Sequence, residues 1–293
     1  MSTPQNISIA ACLPVFNRAK TLERALISIS EQTAPPEEII ICDFASEDDS
    51  RQVIEQWINE YSNILNIQYH KYTFPPTNAE DWNLTIRHAE ADFIAILEGD
   101  DSWPSTYIEE IKLSVSSNPE IGLLMFPMQS DRGIFPWSIS GTIEAKDMKN
   151  YIAALQLIAA PSQAVFRRTD PRGKLFLYQD KDYHYAPETE LYYRVSCEGY
   201  ASVIFETPYV YRGIGARKPI TPLYYLDIFT FLQIYVKLKK IKKYRAIISA
   251  SKVFTFHSAR IFKRSFEKNR LNKPSDFFKL FGYYIRTFFS ILS

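Results

Sequence analysis

Glu98, Gly99, Asp100 and Asp101 close an apolar run, DFIAILEGDD at residues 92–101. Carboxylates this close repel one another, and their ionised state is easy to hold only when a cation sits among them. All-oxygen donors suit a hard divalent cation, so a metal carried by an anionic ligand is the chemistry these residues suggest. A solvated acidic turn behind a strand is the plain alternative. The decision depends on which other residues the chain brings beside them.

The elements that would position the cluster follow from hydrophobic spacing. Residues 92–97 form an apolar run of strand length that opens into the acids. Ile7 to Leu13 is a second such run, closed by Pro14, and TLERALISISEQ (21–32) has apolar positions 22, 25, 26 and 29 on one helical face, with Thr21 as its N-cap. IIICD (39–43) is the next strand, so strand, helix and strand make a βαβ unit with parallel strands. The alternation continues with a helix at 46–61 whose first turn holds acids, a strand at 67–72 and a helix at 79–89. Polar residues at the carboxyl ends of such strands, near Phe16, Asp43 and Asp100, converge on one crevice, where open α/β sheets bind ligands.

Composition removes some competitors. None of the nine glycines precedes Gly99, so the glycine-rich turns of dinucleotide-binding folds and P-loops are absent. Phosphates bound here must be neutralised by other means, and a carboxylate-held metal would do that. The chain's 293 residues suffice for one large domain or two smaller ones. Its net charge of +1 conceals an asymmetry: from Thr221 onward 15 Lys and Arg face three acids, leaving 19 basic against 30 acidic residues ahead of them. Cys12, Cys42 and Cys197 form no CxxC pair and imply neither a disulfide nor zinc. An N-terminus without a basic signal region, and no apolar run of spanning length, place the protein in the cytoplasm, with peripheral contact at the inner membrane face left open.

Residues 7–50, ISIAACLPVFNRAKTLERALISISEQTAPPEEIIICDFASEDDS, followed by AEDWNLTIRHAEADFIAILEGDD (79–101), resemble the nucleotide-binding half of a family 2 glycosyltransferase of GT-A fold. That family shows a strand ending in P-x-(Tyr/Phe)-N, a QT-x-P turn, a strand ending in DDGS-T-D and an acidic DxD-like cluster, all in this order. The resemblance is close over residues 7–104 and thinner to about residue 212. It implies a mostly parallel, mixed sheet flanked by helices. It also implies that Pro14, Phe16, Asn17 and Arg18 line the nucleotide, with Phe16 where an aromatic ring stacks on the base. Asp43 matches the first acid of the DDGS pattern. Phe44 replaces the second, which can bond the base, and Ala45 replaces the glycine, so a uracil nucleotide is not singled out. Asp101 matches the metal-binding acid, with Asp100 and Glu98 completing the cluster around a Mg or Mn ion and the sugar.

Further along, the spacing predicts a helix from Trp103 to about Ser114, a strand at 122–126, irregular chain from Met128 to Ile143, a helix at 147–158 and a strand at 163–167. PETELYYRVSCE (187–198) is helix-compatible, and Glu188 and Glu190 in its first turn would ordinarily answer the helix dipole. The resemblance adds a role, because P-E-T-E-L-Y-Y-R matches the family's ED-x-D-L-x-x-R with Pro187 and Glu188 as departures. Glu188 then stands where the catalytic base is expected. YVYR (209–212) is similar to the fold's terminal strand; His184, Arg217 and Lys218 read as incidental or solvated.

The resemblance implies a GT-A catalytic domain over residues 1–220, with a nucleotide-sugar half at 1–104 and an acceptor half at 105–220. The resemblance implies an inverting, metal-dependent transfer of a hexosyl or N-acetylhexosaminyl group from a nucleotide-diphosphate donor. The acceptor would be a glycan or lipid-linked hydroxyl in surface polysaccharide synthesis. A non-catalytic relative that binds nucleotide sugar or glycan is the alternative. Residues 221–293 read as basic, aromatic-rich helices for an anionic membrane surface or a second copy of the chain. The acidic N-terminal part speaks against nucleic acid as a partner.

Overall fold

A computed structural model of the chain describes residues 7–292 except 77–78, 132, 136, 138, 154–158, 180–186, 208–209, 214–231, 234–235, 237–240, 244–245, 249 and 252–273. The elements run β1 (Ile9–Val15), α1 (Ala19–Ser30), β2 (Glu38–Phe44), α2 (Ser50–Tyr61), β3 (Ile67–Tyr72), α3 (Glu80–His88) and β4 (Phe93–Ile96). There follow β5 (Asp101–Ser102), α4 (Tyr107–Ser117), β6 (Ile121–Met125), β7 (Met128–Ser130), β8 (Gly133–Phe135), β9 (Gly141–Ile143) and α5 (Ala145–Ala153). A 3-10 turn (Pro161–Gln163), β10 (Ala164–Arg167), α6 (Pro187–Cys197), β11 (Ala201–Ile204), β12 (Val210–Arg212) and α7 (Pro274–Leu292) complete the described chain.

Eight strands form one sheet in the order β3-β2-β1-β4-β10-β6-β11-β9. β1 to β4 are mutually parallel, as the βαβ reading requires, while β10 runs antiparallel between β4 and β6. A mixed, mostly parallel sheet flanked by helices is thus observed, as expected. Both faces are covered, which explains the near-continuous apolar runs of the central strands. Alternate residues of β1 enter different cores: Ile9, Ala11 and Leu13 pack with α1, α2 and α4, and Ala10 and Cys12 pack with α3 and α6. Leu232, Val236 and Ile291 belong to the second of these cores. Pro14 does not close β1 but lies within it, buried and paired with Cys42. The register with β4 has already ended at Cys12, so the missing N–H interrupts no ladder on that side.

Several local expectations change. α1 begins at Ala19 rather than Thr21, and Arg18 is its N-cap. Thr21 spends its hydroxyl on the carbonyl of Gly99, 2.7 Å away, tying the helix to the acidic turn. α2 begins at Ser50, so Glu47, Asp48 and Asp49 belong to the preceding loop and not to a first helical turn. The stretch from Met128 to Ile143, expected to be irregular, contributes three short strands, and β11 was not foreseen at all. The helix expected at 147–158 is seen from Ala145 to Ala153. Tyr209, His184, Arg217, Lys218 and most of the helical segments expected at 221–273 lie outside the described residues.

Candidate active site

The loops after β1 and β2 are laced together by side chains that satisfy exposed amides. Asn17 takes a positive φ of 51°, donates its backbone N–H to Ser46 Oγ at 3.0 Å and accepts the Glu47 N–H through Oδ1 at 2.8 Å. The first amides of α1 are capped from the neighbouring loop: Arg18 N–H donates to Ser50 Oγ at 2.7 Å and Ala19 N–H to Asp48 Oδ2 at 3.0 Å. Burial alone would raise the Asp48 carboxyl, but the Ser50 hydroxyl and the amides of Ala19, Ser50 and Asp48 itself together hold it below its usual range. Ser46, Asp48 and Ser50 therefore shape the crevice, although only Asp43 and Phe44 stood out as site residues in that segment of sequence.

Asp43 itself is fully buried. Its Oδ1 accepts the Ser46 N–H at 3.0 Å and its Oδ2 accepts Arg51 Nη2 at 3.2 Å and Nε at 3.3 Å. Its visible task is to hold the β2–α2 turn. Phe44, placed at the base by the motif match, is fully buried and stacks on Tyr72 with ring centroids 4.6 Å apart. Strand alternation turns it away from Asp43 into the core that contains Ile40 and Cys42. Pro14 is buried, Phe16 half-buried and Asn17 exposed, so of these the last two reach the crevice surface.

The acidic turn is fastened on every side. Glu98 N–H donates to Ser162 Oγ at 3.0 Å, Arg24 Nη2 donates to the Asp100 carbonyl at 2.6 Å, and Arg18 Nε stands 3.8 Å from Asp100 Oδ1. Asp101 is 1% exposed and lies on β5, opposite Arg212 of β12. The Gly213 N–H approaches its Oδ1 at 3.4 Å, while Oδ2 is buried without a hydrogen bond among the described residues. Burial first, and then the charge of Asp100, push the Asp101 carboxyl up to about 6, opposed by the nearby Ser162 hydroxyl, Arg212 and the Gly213 amide. Glu98 is raised well above the carboxylate range by burial, then by Asp101 and Asp100, with Glu188 adding to the effect.

That last contribution connects two distant parts of the sequence. Glu188 sits in the first turn of α6, 6% exposed, near enough to act on Glu98 and on the phenols of Tyr178 and Tyr192. Glu190, the other acid of that turn, is bound bidentately by Arg194 at 3.0 and 2.9 Å, and Arg194 also donates to the Leu177 carbonyl at 2.6 Å. The two acids thus differ in their surroundings, with Glu190 paired to Arg194 and Glu188 close enough to Glu98 to act on its charge. Tyr178 is positioned by Asn83, whose side-chain amide exchanges two hydrogen bonds with its backbone at 2.9 and 2.7 Å. Arg212, Ser162 and Tyr178 were not singled out from sequence. Each reaches the site through long-range pairing, and only the YVYR likeness to a terminal strand hinted at Arg212.

The donor set fits a hard divalent cation. Asp101 offers a buried oxygen that lacks a hydrogen bond, and Asp100 is its neighbour, so both carboxylates are at hand. No group of three His, Cys, Asp or Glu side chains forms a ready-made cage among the described residues. One or two carboxylates completed by substrate phosphates and water is how Mg2+ is commonly held.

Gly213 packs so closely here that an added Cβ would fall inside the contact distance of the Asp100 carbonyl and crowd the Arg24 guanidinium. Gly213→Ala is therefore expected to cost about 1–3 kcal/mol by overpacking. It should also displace Asp100 and Asp101, which thermal melts and donor titrations of the same variant would register together.

The sequence profile described as glycosyl transferase family 2 matches residues 10–171. Over 111 residues the chain is 25% identical to the UDP-Glc:α-D-GlcNAc-diphosphoundecaprenol β-1,3-glucosyltransferase WfgD of Escherichia coli. Over 96 residues it is 30% identical to EpsE of Bacillus subtilis (strain 168), which is named as a glycosyltransferase. These alignments span 38% and 32% of this chain, and 42% and 33% of the two relatives, less than half of either. The fold is similar to that of S. aureus TarS in complex with UDP-GlcNAc, with a TM-score of 0.70 at 14% identity over 96% of this chain and 81% of that one. It is also similar to the mannosyltransferase PcManGT of Pyrobaculum calidifontis with GDP-Man and Mn2+, with a TM-score of 0.59 at 14% identity over 99% and 90% of the two chains.

Proposed function

The chain belongs to glycosyl transferase family 2, and from that premise we propose that it moves a sugar, with inversion, from a nucleoside-diphosphate donor to an acceptor hydroxyl. The observation that carries this reading is that Glu188, buried at the start of α6, lies near enough to Glu98 of the acidic turn to act on its charge, since a base and a phosphate-binding pole are both needed for the transfer. Residues 1–220 are taken as the catalytic unit and 221–293 as its attachment. A lipid-linked or glycan acceptor is supported by the name of the E. coli relative. A six-carbon sugar is supported by the donors named with the neighbouring structures.

In this mechanism the Glu188 carboxylate accepts the proton of the acceptor hydroxyl as its oxygen bonds to the anomeric carbon. The bond from that carbon to the diphosphate oxygen breaks on the opposite face, and the electron pair leaves with the nucleoside diphosphate. Arg212 and Arg18, on either side of the acidic turn, present cations to the charge that gathers there. Asp101 and Asp100 would hold the divalent ion, which when bound stabilises the leaving diphosphate as a Lewis acid. Glu98 and Asp101 carry high proton affinities in the metal-free site, so their charge is accepted most readily when a cation arrives.

Thermal melts across a panel of UDP- and GDP-sugars, with Mg2+, Mn2+ or EDTA, test the donor assignment. At least one nucleotide sugar is expected to raise the melting temperature only with metal present, by binding the native state alone. A flat response across the whole panel would remove the reading.

A further inference from the structure

A single stripe of α1 meets the main chain of the acidic turn and of the segment after it. Thr21, Arg24 and Ser28 are spaced by three and four residues and fall within an arc of roughly 60° on the helix, and Gln32 follows just past its end. Thr21 Oγ1 donates to the Gly99 carbonyl at 2.7 Å and Arg24 Nη2 to the Asp100 carbonyl at 2.6 Å. Ser28 Oγ accepts the Trp103 N–H at 3.2 Å, and the Gln32 amide accepts the Ile108 N–H at 2.9 Å and donates to the Pro104 carbonyl at 2.8 Å. The order of these side chains along α1 is the order of their partners along residues 99–108. The sheet holds this part of the chain weakly. The register of β4 with β1 ends at Ile96, one further bond joins the Leu97 N–H to the Cys12 carbonyl, and β5 pairs with β12 over two residues. Gly99 instead lies so near α1 that an added Cβ would stand 3.1 Å from Arg18 Cγ.

We propose that Thr21 and Arg24 are positioning residues for the divalent ion. By fixing the carbonyls of Gly99 and Asp100 they set the direction in which the Asp100 and Asp101 carboxylates present their oxygens, a role that rests on metal-assisted transfer at the same site. Neither side chain touches the ion in this account; each acts through the main chain. Thr21 is half-buried and uncharged, whereas Arg24 is exposed and charged, so the pair separates position from charge. Removing the Arg24 cation from beside the acidic turn would, by Coulomb attraction alone, tighten a bound cation. A loosened turn does the opposite, because groups that orient metal ligands typically govern affinity by about 10–100-fold. The sign of the change therefore tells the two effects apart.

The probe is Mn2+, titrated into the full chain and followed through the relaxation of water protons, which quickens when the ion is held on a slowly tumbling protein. A second series adds UDP or GDP to supply phosphate oxygens. Mn2+ affinity is expected to fall about tenfold in Thr21→Val and in Arg24→Met, while Thr21→Ser, which keeps the hydroxyl, binds like the wild type. Valine keeps the shape of threonine, and methionine is a good helix former at an exposed position, so circular dichroism should show both variants native at the titration temperature. A wild type that holds no Mn2+ in either series would overturn the metal reading and this proposal with it. Mn2+ held by the wild type, but equally or more tightly by Thr21→Val or Arg24→Met, would overturn the proposal alone. So would a Thr21→Ser protein as weak as Thr21→Val.

Discussion

Asp101→Asn is expected to abolish sugar transfer, by at least about 10²–10³-fold, while the metal-free protein melts at the same temperature or higher. The opposite signs come from the same burial. Asparagine keeps an oxygen for the Gly213 N–H and fits the space that Asp101 fills. It removes the charge that burial and Asp100 disfavour, a cost visible in the rise of the Asp101 carboxyl to about 6. A group raised in the folded state contributes stability that is complete below its unfolded value near 3.8 and is lost as pH rises through about 6. The metal-free wild type should therefore lose that part of its stability across this window, and Asp101→Asn should flatten the slope. Excess divalent metal should raise the wild-type melting temperature near neutral pH and leave the variant unmoved. A residue of purely structural importance would lower activity and stability together.

Glu188→Gln is expected to lower turnover by about 10²–10⁴-fold and to leave donor affinity unchanged. Glutamine preserves the shape at the start of α6, where Glu190 and Arg194 continue to anchor the helix. It cannot take the acceptor proton. The loss should thus fall on kcat, and metal-dependent stabilisation by the donor should persist. Glu190→Gln provides the contrast. It removes the carboxylate that Arg194 binds bidentately and leaves the half-buried guanidinium without that opposite charge, so its main effect should be on the melt.

The two variants also mark how far sequence carried the account. β1, β2 and β4 could be read because each is an apolar run buried on both faces of one sheet, and β3, the half-buried edge strand IQYHKY, because it follows in the same strand–helix alternation. The acids at the end of β4 could be read because they interrupt such a run. β7, β8 and β9 could not, since three residues give no period to detect, and β7 and β9 are held by β12 and β11, far away in sequence, with β8 paired to β7 alone among the described residues. Thr21 illustrates the same limit at one residue. Its position favoured an N-cap, yet Gly99, distant in sequence, offered its hydroxyl a carbonyl at 2.7 Å. Asp43 and Phe44 matched a motif by position, but the fold sends one to a turn and Arg51 and the other to the core. Helical position alone marked Glu188 and Glu190 alike as first-turn acids, and only the motif match set Glu188 apart. The folded chain adds the Arg194 contact, which ties down Glu190.

The central claim is that Asp101 and Glu188 serve the two ends of one transfer. Its most direct test is nucleoside diphosphate release from the stabilising nucleotide sugar, measured with acceptor and metal for the wild type, Asp101→Asn and Glu188→Gln beside their donor affinities. Metal-dependent release by the wild type is predicted, lost in Asp101→Asn together with donor binding, and lost in Glu188→Gln with donor binding intact. Full release by either variant, or wild-type release that is indifferent to both substitutions and to EDTA, would contradict it.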